Sequence, residues 1–333
     1  MRTSISVKLR IFRHIFSVNT SASNWSSIPA CLTFACITFT CCTLYCTGCK
    51  PAAEQQKIPQ AVNNSEFSSA PQRIVSTLPS ITEVLFDIGL GSRIVGVSSF
   101  TTYPPEAAKI DKIGGLYDMN YEKILSLKAD ILFFSVENEA LRQSLTVPSW
   151  AVNHRTLQGV LDSYTIIGAL FDEDVLVAAK VKQAALKDQL DAFAEKAKNR
   201  EKTKTAKIKT LICIDRSRGT GKIQNLFVAG TESFLTDALR LAGGENVAEA
   251  AGRFAPTLSA EGVIGLAPEV IIDLGFAPPD IKTKSDLSDW QSLGDSVPAV
   301  KNKRIYKITD DFATVPGPRT PLLIEKIERI LHK

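Results

Sequence analysis

The sequence predicts an α/β protein built as two lobes with parallel sheets, joined by one long α-helix. Three observations lead there. Apolar runs without polar alternation, "RIVST", "DILFFS" and "TLICID", read as strands covered on both faces. They alternate with segments of helical period, the order expected of parallel sheets. Finally, "NYEKILSLKAD" (Asn120 to Asp130) recurs in degraded form as "SAEGVIGLAPE" (Ser259 to Glu269), so that 139 residues separate Glu122 from Glu261 and Leu127 from Leu266. With 333 residues the chain is long enough for two lobes of ordinary size, each with its own core.

Residues 1–49 have the shape of an export signal. Arg2, Lys8, Arg10 and Arg13 precede an uncharged stretch from Ile28 to Tyr45. Its apolar core is about 16 residues, short and threonine-rich for a membrane span. Gly48 followed by Cys49 is similar to a lipobox, which implies lipidation of Cys49, although Cys46 stands where leucine is usual. A plainly cleaved signal and an uncleaved anchor are the alternatives, and all three export the chain. Six of the seven cysteines lie between Cys31 and Cys49, which leaves the globular part Cys213 and no disulfide framework. Within "TLICID", Cys213 reads as a small buried hydrophobe. Residues 50–72 are polar, proline-bearing and aperiodic, and read as a flexible tether.

The N-terminal lobe spans residues 73–156. After the strand "RIVST", Ser80 is the expected N-cap of a helix, with Glu83 at capping-box spacing. Ile81, Val84, Leu85 and Ile88 share one face of it, and Gly89 and Gly91 end it. "RIVGV" is a second strand and "YPPEAAKIDKIGG" a proline-led loop. Asn120 then caps a helix running to about Lys128, followed by the strands "DILFFS" and "SWAVNH". Residues 157–206 form a helical connector. Within it, Asp172 to Lys198 reads as one helix of roughly 40 Å, with Val175, Val181, Leu186, Leu190 and Phe193 on its apolar side. That length suits a strut across two lobes. In the C-terminal lobe, residues 207–333, "TLICIDR" and "RIYKITDDF" are strands. "ALRLAGGENV" repeats the glycine-terminated helix "VLFDIGLGSRIV", and "TPLLIEKIERILHK" is the closing helix, with Pro321 near its start. Each lobe is therefore expected to be Rossmann-like.

Several functions are excluded. The net charge of +4 is modest, and the one basic run, Lys198 to Lys209, lacks the aromatics of a nucleic-acid surface. There is no G-x-S-x-G, and beyond the export signal only His154 and His332 are available as bases. His154 reads as a strand-edge residue. "RGTGK" lacks the first glycine of a phosphate loop and has Ile223 where Ser or Thr is needed. So few histidines do not build a metal site. The chain is not expected to be an enzyme or to carry a resident cofactor or metal. The helix macrodipole accounts for Glu122 and Glu261 one at a time, at about 0.3–1 kcal/mol each. It does not account for their matched placement in both lobes.

From Arg73 onward, "RIVSTLPSITEVLFDIGLGSRIVGVSSFTTYPPEAAKIDKIGGLYDMNYEKILSLKADIL", "FLTDALRLAGGENV", "LSAEGVIGLAPEVII", "WQSLGDSVPAVKNKRIYKI" and "PGPR" resemble, in order, the cobalamin/iron-siderophore class of substrate-binding proteins of ABC importers. The resemblance implies a monomeric receptor on the periplasmic face of a membrane, anchored through Cys49. It would clasp a ligand between its lobes and hand it to a permease and its ATPase. A glutamate of each lobe, here Glu122 and Glu261, would dock into arginine pockets of that permease. The cleft would be lined by Thr77, Pro79, Ser80, Phe100, Tyr103 and Tyr117, and on the far side by Arg216, Arg218, Phe254, Asp311 and Phe312. Aromatic side chains suit a large flat corrinoid or haem, and arginines an anionic siderophore or haem propionates. Cobalamin or a related corrinoid stands first, with a ferric siderophore and haem as alternatives. Phe254 and Phe312 fit equally as lobe-core residues, and Arg216 and Arg218 as solvated loop charges. The rival from another class is a secreted two-lobed α/β enzyme, for which the sequence offers no convergent nucleophile and base.

Overall fold

The computed structural model describes residues 69–115, 118–138, 146–202, 206–252, 254–275 and 287–333; the export signal, Cys49 and Tyr117 lie outside the described residues. In the first lobe, β1 (Ile74–Ser76), β2 (Ile94–Val97), β3 (Ile131–Ser135) and β4 (Ser149–Val152) form a sheet in the order β2-β1-β3-β4, every pairing parallel. Parallel neighbours need crossovers, and α1 (Pro79–Asp87) and α2 (Tyr121–Ser126) supply the first two. The connector holds α3 (Leu157–Gly168) and α4 (Glu173–Lys202).

The second lobe contains β5 (Ile208–Asp215), β6 (Leu226–Val228), α5 (Phe234–Leu241), β7 (Gly244–Asn246), β8 (Thr257–Leu258) and α6 (Ala260–Leu266). It continues through β9 (Val270–Leu274), α7 (Pro298–Lys301), β10 (Ile305–Ile308) and α8 (Thr320–Leu331). Its parallel part, β7-β5-β9-β10, has the same order as the first sheet. The duplication suggested by the repeated sequence is thus present in the topology. The expectation of a wholly parallel second sheet needs one correction, because β6 and β8 are antiparallel additions. The eight-residue β5 makes room for them: opposite its β9 edge, Ile208–Thr210 pair with β7, while Cys213 and Asp215 pair with β6.

The two repeated units match in detail. Asn120 Oδ1 accepts from the Lys123 N–H at 2.8 Å, and Ser259 Oγ accepts from the Gly262 N–H at 3.1 Å. Ile124 and Val263 are fully buried beneath their helices. Each helix is followed by a left-handed residue, Lys128 (φ 48°) and Ala267 (φ 46°). The carboxylates of Asp130 and Glu269 then accept the backbone N–H of Arg73 and Lys209, at the head of the neighbouring strand, at 2.8 and 2.9 Å.

The start of α1 differs from expectation. Leu78 is the boundary residue, Pro79 fixes the first turn, and Ser80 and Glu83 are buried instead of capping. In α4, 30 residues long and about 45 Å by its rise, Asp172 Oδ1 accepts from the Val175 N–H at 3.2 Å. The buried residues are Val175, Ala179, Leu186, Leu190 and Phe193, all near one side of the helix. Val181 was expected among them but is 61% exposed, since its place six residues after Val175 puts it on the opposite face. Through this stripe one apolar core runs from Ile74 and Ile81, past Tyr164 and Leu190, to Phe234 and Ile324. The long helix is therefore the middle of a shared core. A second cluster surrounds Trp290 in the second lobe, and a third surrounds Phe134 in the first. Cys213 is a buried free thiol on β5, as its apolar run suggests, and burial pushes its pKa up. No helix among the described residues is long and apolar enough to cross a membrane.

Because both lobes share the core through α4, Leu190→Ala is expected to lower stability by about 2–5 kcal/mol. Urea denaturation followed by far-UV circular dichroism should still show one transition; two separated transitions would mean that the lobes unfold independently.

Candidate functional site: the cleft between the lobes

Ligands of open parallel sheets bind beyond the C-terminal ends of the strands, where the connecting loops diverge. Beyond β2 this region carries Phe100 and Tyr103, which are 56% and 40% exposed. The second lobe meets it with Arg319, the boundary residue at the start of α8. Arg319 Nη2 donates to Glu83 Oε1 at 2.6 Å, and Nε donates to Glu83 Oε2 at 3.0 Å, a two-point ion pair between lobes. Its Nη1 donates to Asp311 Oδ1 at 2.7 Å. The guanidinium carbon also lies 3.9 Å from the ring centre of Tyr103 and 5.9 Å from that of Phe312, which adds cation–π attraction. Burial pushes the Glu83 carboxyl above its ordinary range, and the hydrogen bonds and charge of Arg319 oppose that shift.

A second crossing runs in the opposite sense. Arg155, after β4 of the first lobe, stands 5.8 Å from the ring centre of Phe254 in the second, and it is paired with Glu137. The backbone carbonyl of Arg155 also accepts from the Phe234 N–H at the start of α5. The lobes are thus joined by arginine–aromatic contacts donated once from each side.

His154 follows β4, the edge strand of the first sheet, and is buried. Its Nδ1 lies 3.0 Å from Ser80 Oγ, and burial pushes its pKa down to about 3. Its Nε2 and the Thr77 Oγ1 are buried without a hydrogen-bond partner among the described residues.

The residues expected in the cleft separate into three groups. Phe100, Tyr103 and Asp311 are exposed, and Pro79, Phe254 and Phe312 are half-buried. Thr77 and Ser80 are buried, at 1% and 4% exposure. Arg216 lies inside the second lobe, its side chain 1% exposed. There Nε donates to Asp273 Oδ2 at 2.7 Å and Nη1 to Asp289 Oδ2 at 2.6 Å, over the Trp290 ring at 5.3 Å. Trp290 Nε1 donates to the same Asp273 oxygen at 3.0 Å. Asp289 also accepts the N–H groups of Gly219 and Gly221, at 2.8 and 2.7 Å, which ties down the "RGTGK" loop. Burial alone would raise both carboxyls, but Arg216 and these donors hold them below the usual range. The expectation that Arg216 faces a ligand is corrected, since its guanidinium braces that loop from within. Arg218 is 17% exposed and paired with Asp215 and Asp273 at 2.7 and 3.1 Å. Sequence reasoning missed Arg155, Arg319, Asp273 and Asp289. The available signals were the arginine of "PGPR" and two acids lying within apolar segments.

Two lobes of matching topology, joined by reciprocal arginine–aromatic contacts, fit a binding protein of the periplasmic type. The chain belongs to the periplasmic binding protein family, whose model matches residues 74–312. It is 27% identical over 268 residues to an uncharacterized ABC transporter substrate-binding lipoprotein of Bacillus subtilis, covering 78% of this chain and 79% of the relative. It is 26% identical over 262 residues to a vitamin B12-binding protein of Vibrio vulnificus, covering 77% and 88%. Among solved structures, an S. aureus protein complexed with haem superposes with a TM-score of 0.66 at 22% identity, covering 78% of this chain and 99% of the other. The chain is an exported solute-binding protein, not an enzyme.

Removing the guanidinium in Arg319→Ala strands a buried carboxylate, and a loss of about 3–5 kcal/mol is expected in urea denaturation. Replacing both partners by leucine should recover much of that loss; a double variant as unstable as the single one would show that the pair is not the cause. His154 has a folded pKa of about 3 against 6.5 for the free group, so its contribution is complete above pH 6.5 and declines as pH falls towards 3. The limiting slope is about 1.4 kcal/mol per pH unit. His154→Gln should therefore lose less stability between pH 7 and pH 5 than the parent protein, measured under identical denaturation conditions.

Proposed function

We propose that this chain is the receptor of an ABC importer, that its cargo is a corrinoid, and that it hands the cargo to a permease driven by an ATPase. The observation that carries the cargo assignment is the charge state of the cleft. Among the described residues, Arg155 holds one carboxylate and Arg218 and Arg319 hold two each, while Phe100 and Tyr103 are exposed. A corrinoid with an amide-bearing rim gains from aromatic area and needs little free positive charge. A polyanionic siderophore or the propionates of haem would call for unpaired guanidinium groups. The vitamin B12-binding relative supports the same choice.

The receptor is a monomer held at the membrane by a lipid on Cys49, with residues 50–72 as its tether. It docks through Glu122 and Glu261, both exposed on matched helices. The Glu261 carboxyl is held below the ordinary range by its own backbone N–H and then by the Ser259 hydroxyl, so it stays ionised at neutral pH. Ionised carboxylates meeting arginines form short, charge-assisted contacts and steer encounter.

Calorimetric titration of the purified protein should give saturable binding of cyanocobalamin and none of haemin or a ferric siderophore. Haemin binding with a shifted Soret band, in place of cyanocobalamin binding, would overturn the corrinoid assignment in favour of haem, with the Tyr103 phenol as the candidate iron ligand. Changing Glu122 and Glu261 together to alanine should leave cyanocobalamin affinity unchanged and abolish uptake in cells; persistent uptake would remove the docking assignment.

A further inference from the structure

The matched helices α2 and α6 repeat more than an acid. Three residues after Glu122 stands Leu125, 50% exposed, and three residues after Glu261 stands Ile264, 39% exposed. The same 139-residue offset that relates the two glutamates relates these two aliphatic side chains. Positions three apart on a helix share a face, so each lobe presents a carboxylate with an uncovered aliphatic group beside it. One exposed leucine is ordinary on a protein surface. Two large apolar groups at equivalent positions of a duplicated unit, both beside an acid, are not explained by the packing of either lobe. The buried side is already supplied by Ile124 and Val263.

The face is held rigidly. The side-chain caps of Asn120 and Ser259 fix one end of each short helix. The left-handed Lys128 and Ala267 fix the other end, and Asp130 and Glu269 bind the neighbouring strand just beyond. Leu125 and Ile264 are therefore presented at set positions, and a partner would meet little conformational freedom in the backbone that carries them.

We propose that Leu125 and Ile264 are the second half of two docking faces, one on each lobe. Their partner is a membrane permease with two equivalent sites, each an apolar pocket beside a basic one. The proposal rests on the receptor function given above. Charge complementarity selects a basic partner. The duplication selects its symmetry, because two copies of one surface on a single chain are best met by two copies of the complementary surface, as in an assembly with a two-fold axis. The acid guides encounter and register, while the aliphatic group, dry once covered, slows release. Tyr121, 44% exposed beside Glu122, has Ala260 as its counterpart, so the first-lobe face is the larger.

The test uses the full-length receptor and its cognate permease–ATPase complex in proteoliposomes, with cyanocobalamin affinity and thermal unfolding measured on the same preparations. Leu125→Ala and Ile264→Ala should each weaken docking by about 10- to 100-fold, the range set by covering one aliphatic side chain. Leu125→Ala should have the larger effect, and both should keep the unfolding temperature and cyanocobalamin affinity of the parent. The loss should persist at high salt, whereas Glu122→Gln and Glu261→Gln should lose docking mainly at low salt. Unchanged docking in the double aliphatic variant, with the glutamate variants impaired, would overturn this proposal and leave the receptor reading intact. Unchanged docking in both sets would overturn the docking faces altogether. Failure of the parent protein to bind any cargo or to dock at all would defeat the receptor reading itself.

Discussion

Glu83 and Arg319 must meet, or each is left desolvated at the junction of the lobes. The carboxylate is on the inner side of the first helix, 1% exposed, and its partner comes from the last helix, 236 residues later. An isolated buried charge is far more costly than an exposed one, so the pair constrains the whole arrangement around it. The ring of Tyr103 lies against the same guanidinium, which also donates to Asp311 and stands 5.9 Å from the Phe312 ring centre. The aromatic surface offered to a solute is thus positioned by an interlobe ion pair. The reciprocal contact of Arg155 with Phe254 steadies a second point, and the apolar core through α4 supports both.

The parts of this fold that were legible in the sequence were local or repeated. The unit from Asn120 to Asp130 and its copy from Ser259 to Glu269 carried cap, buried anchor, turn and strand in the right order, and the sheet orders confirm the two lobes. The long helix is readable from its length and from an apolar set that falls mostly on one side; Val181 is the member that does not, and Ala179 holds the buried place. What stayed illegible was long-range pairing. Ser80 and Glu83 had capping-box spacing, and nothing in nearby residues distinguishes a cap from a carboxylate waiting for Arg319. Arg216 had the look of a loop charge because its partners, Asp273 and Asp289, lie 57 and 73 residues away. The antiparallel β6 and β8, three and two residues long, are too short for periodicity to mark.

The two arginine clusters differ in consequence. In the second lobe, Arg216 with two aspartates and an indole forms a closed network that fixes the Gly219–Gly221 turn from below. Such a network is worth its desolvation only when every member is satisfied, and here each aspartate has several donors. At the cleft, Arg319 presents a guanidinium face to rings that are themselves partly open. One cluster braces a loop; the other shapes the surface that meets solvent.

The shared core along α4 also bears on how occupancy is communicated. One continuous core and two arginine clasps oppose a change in the distance between α2 and α6. For a partner that touches both helices, an empty receptor held in this geometry is a competitor for the same seat. Traffic at the membrane would follow the ratio of the two forms in the surrounding compartment, with any preference for cargo arising at the mouth of the cleft.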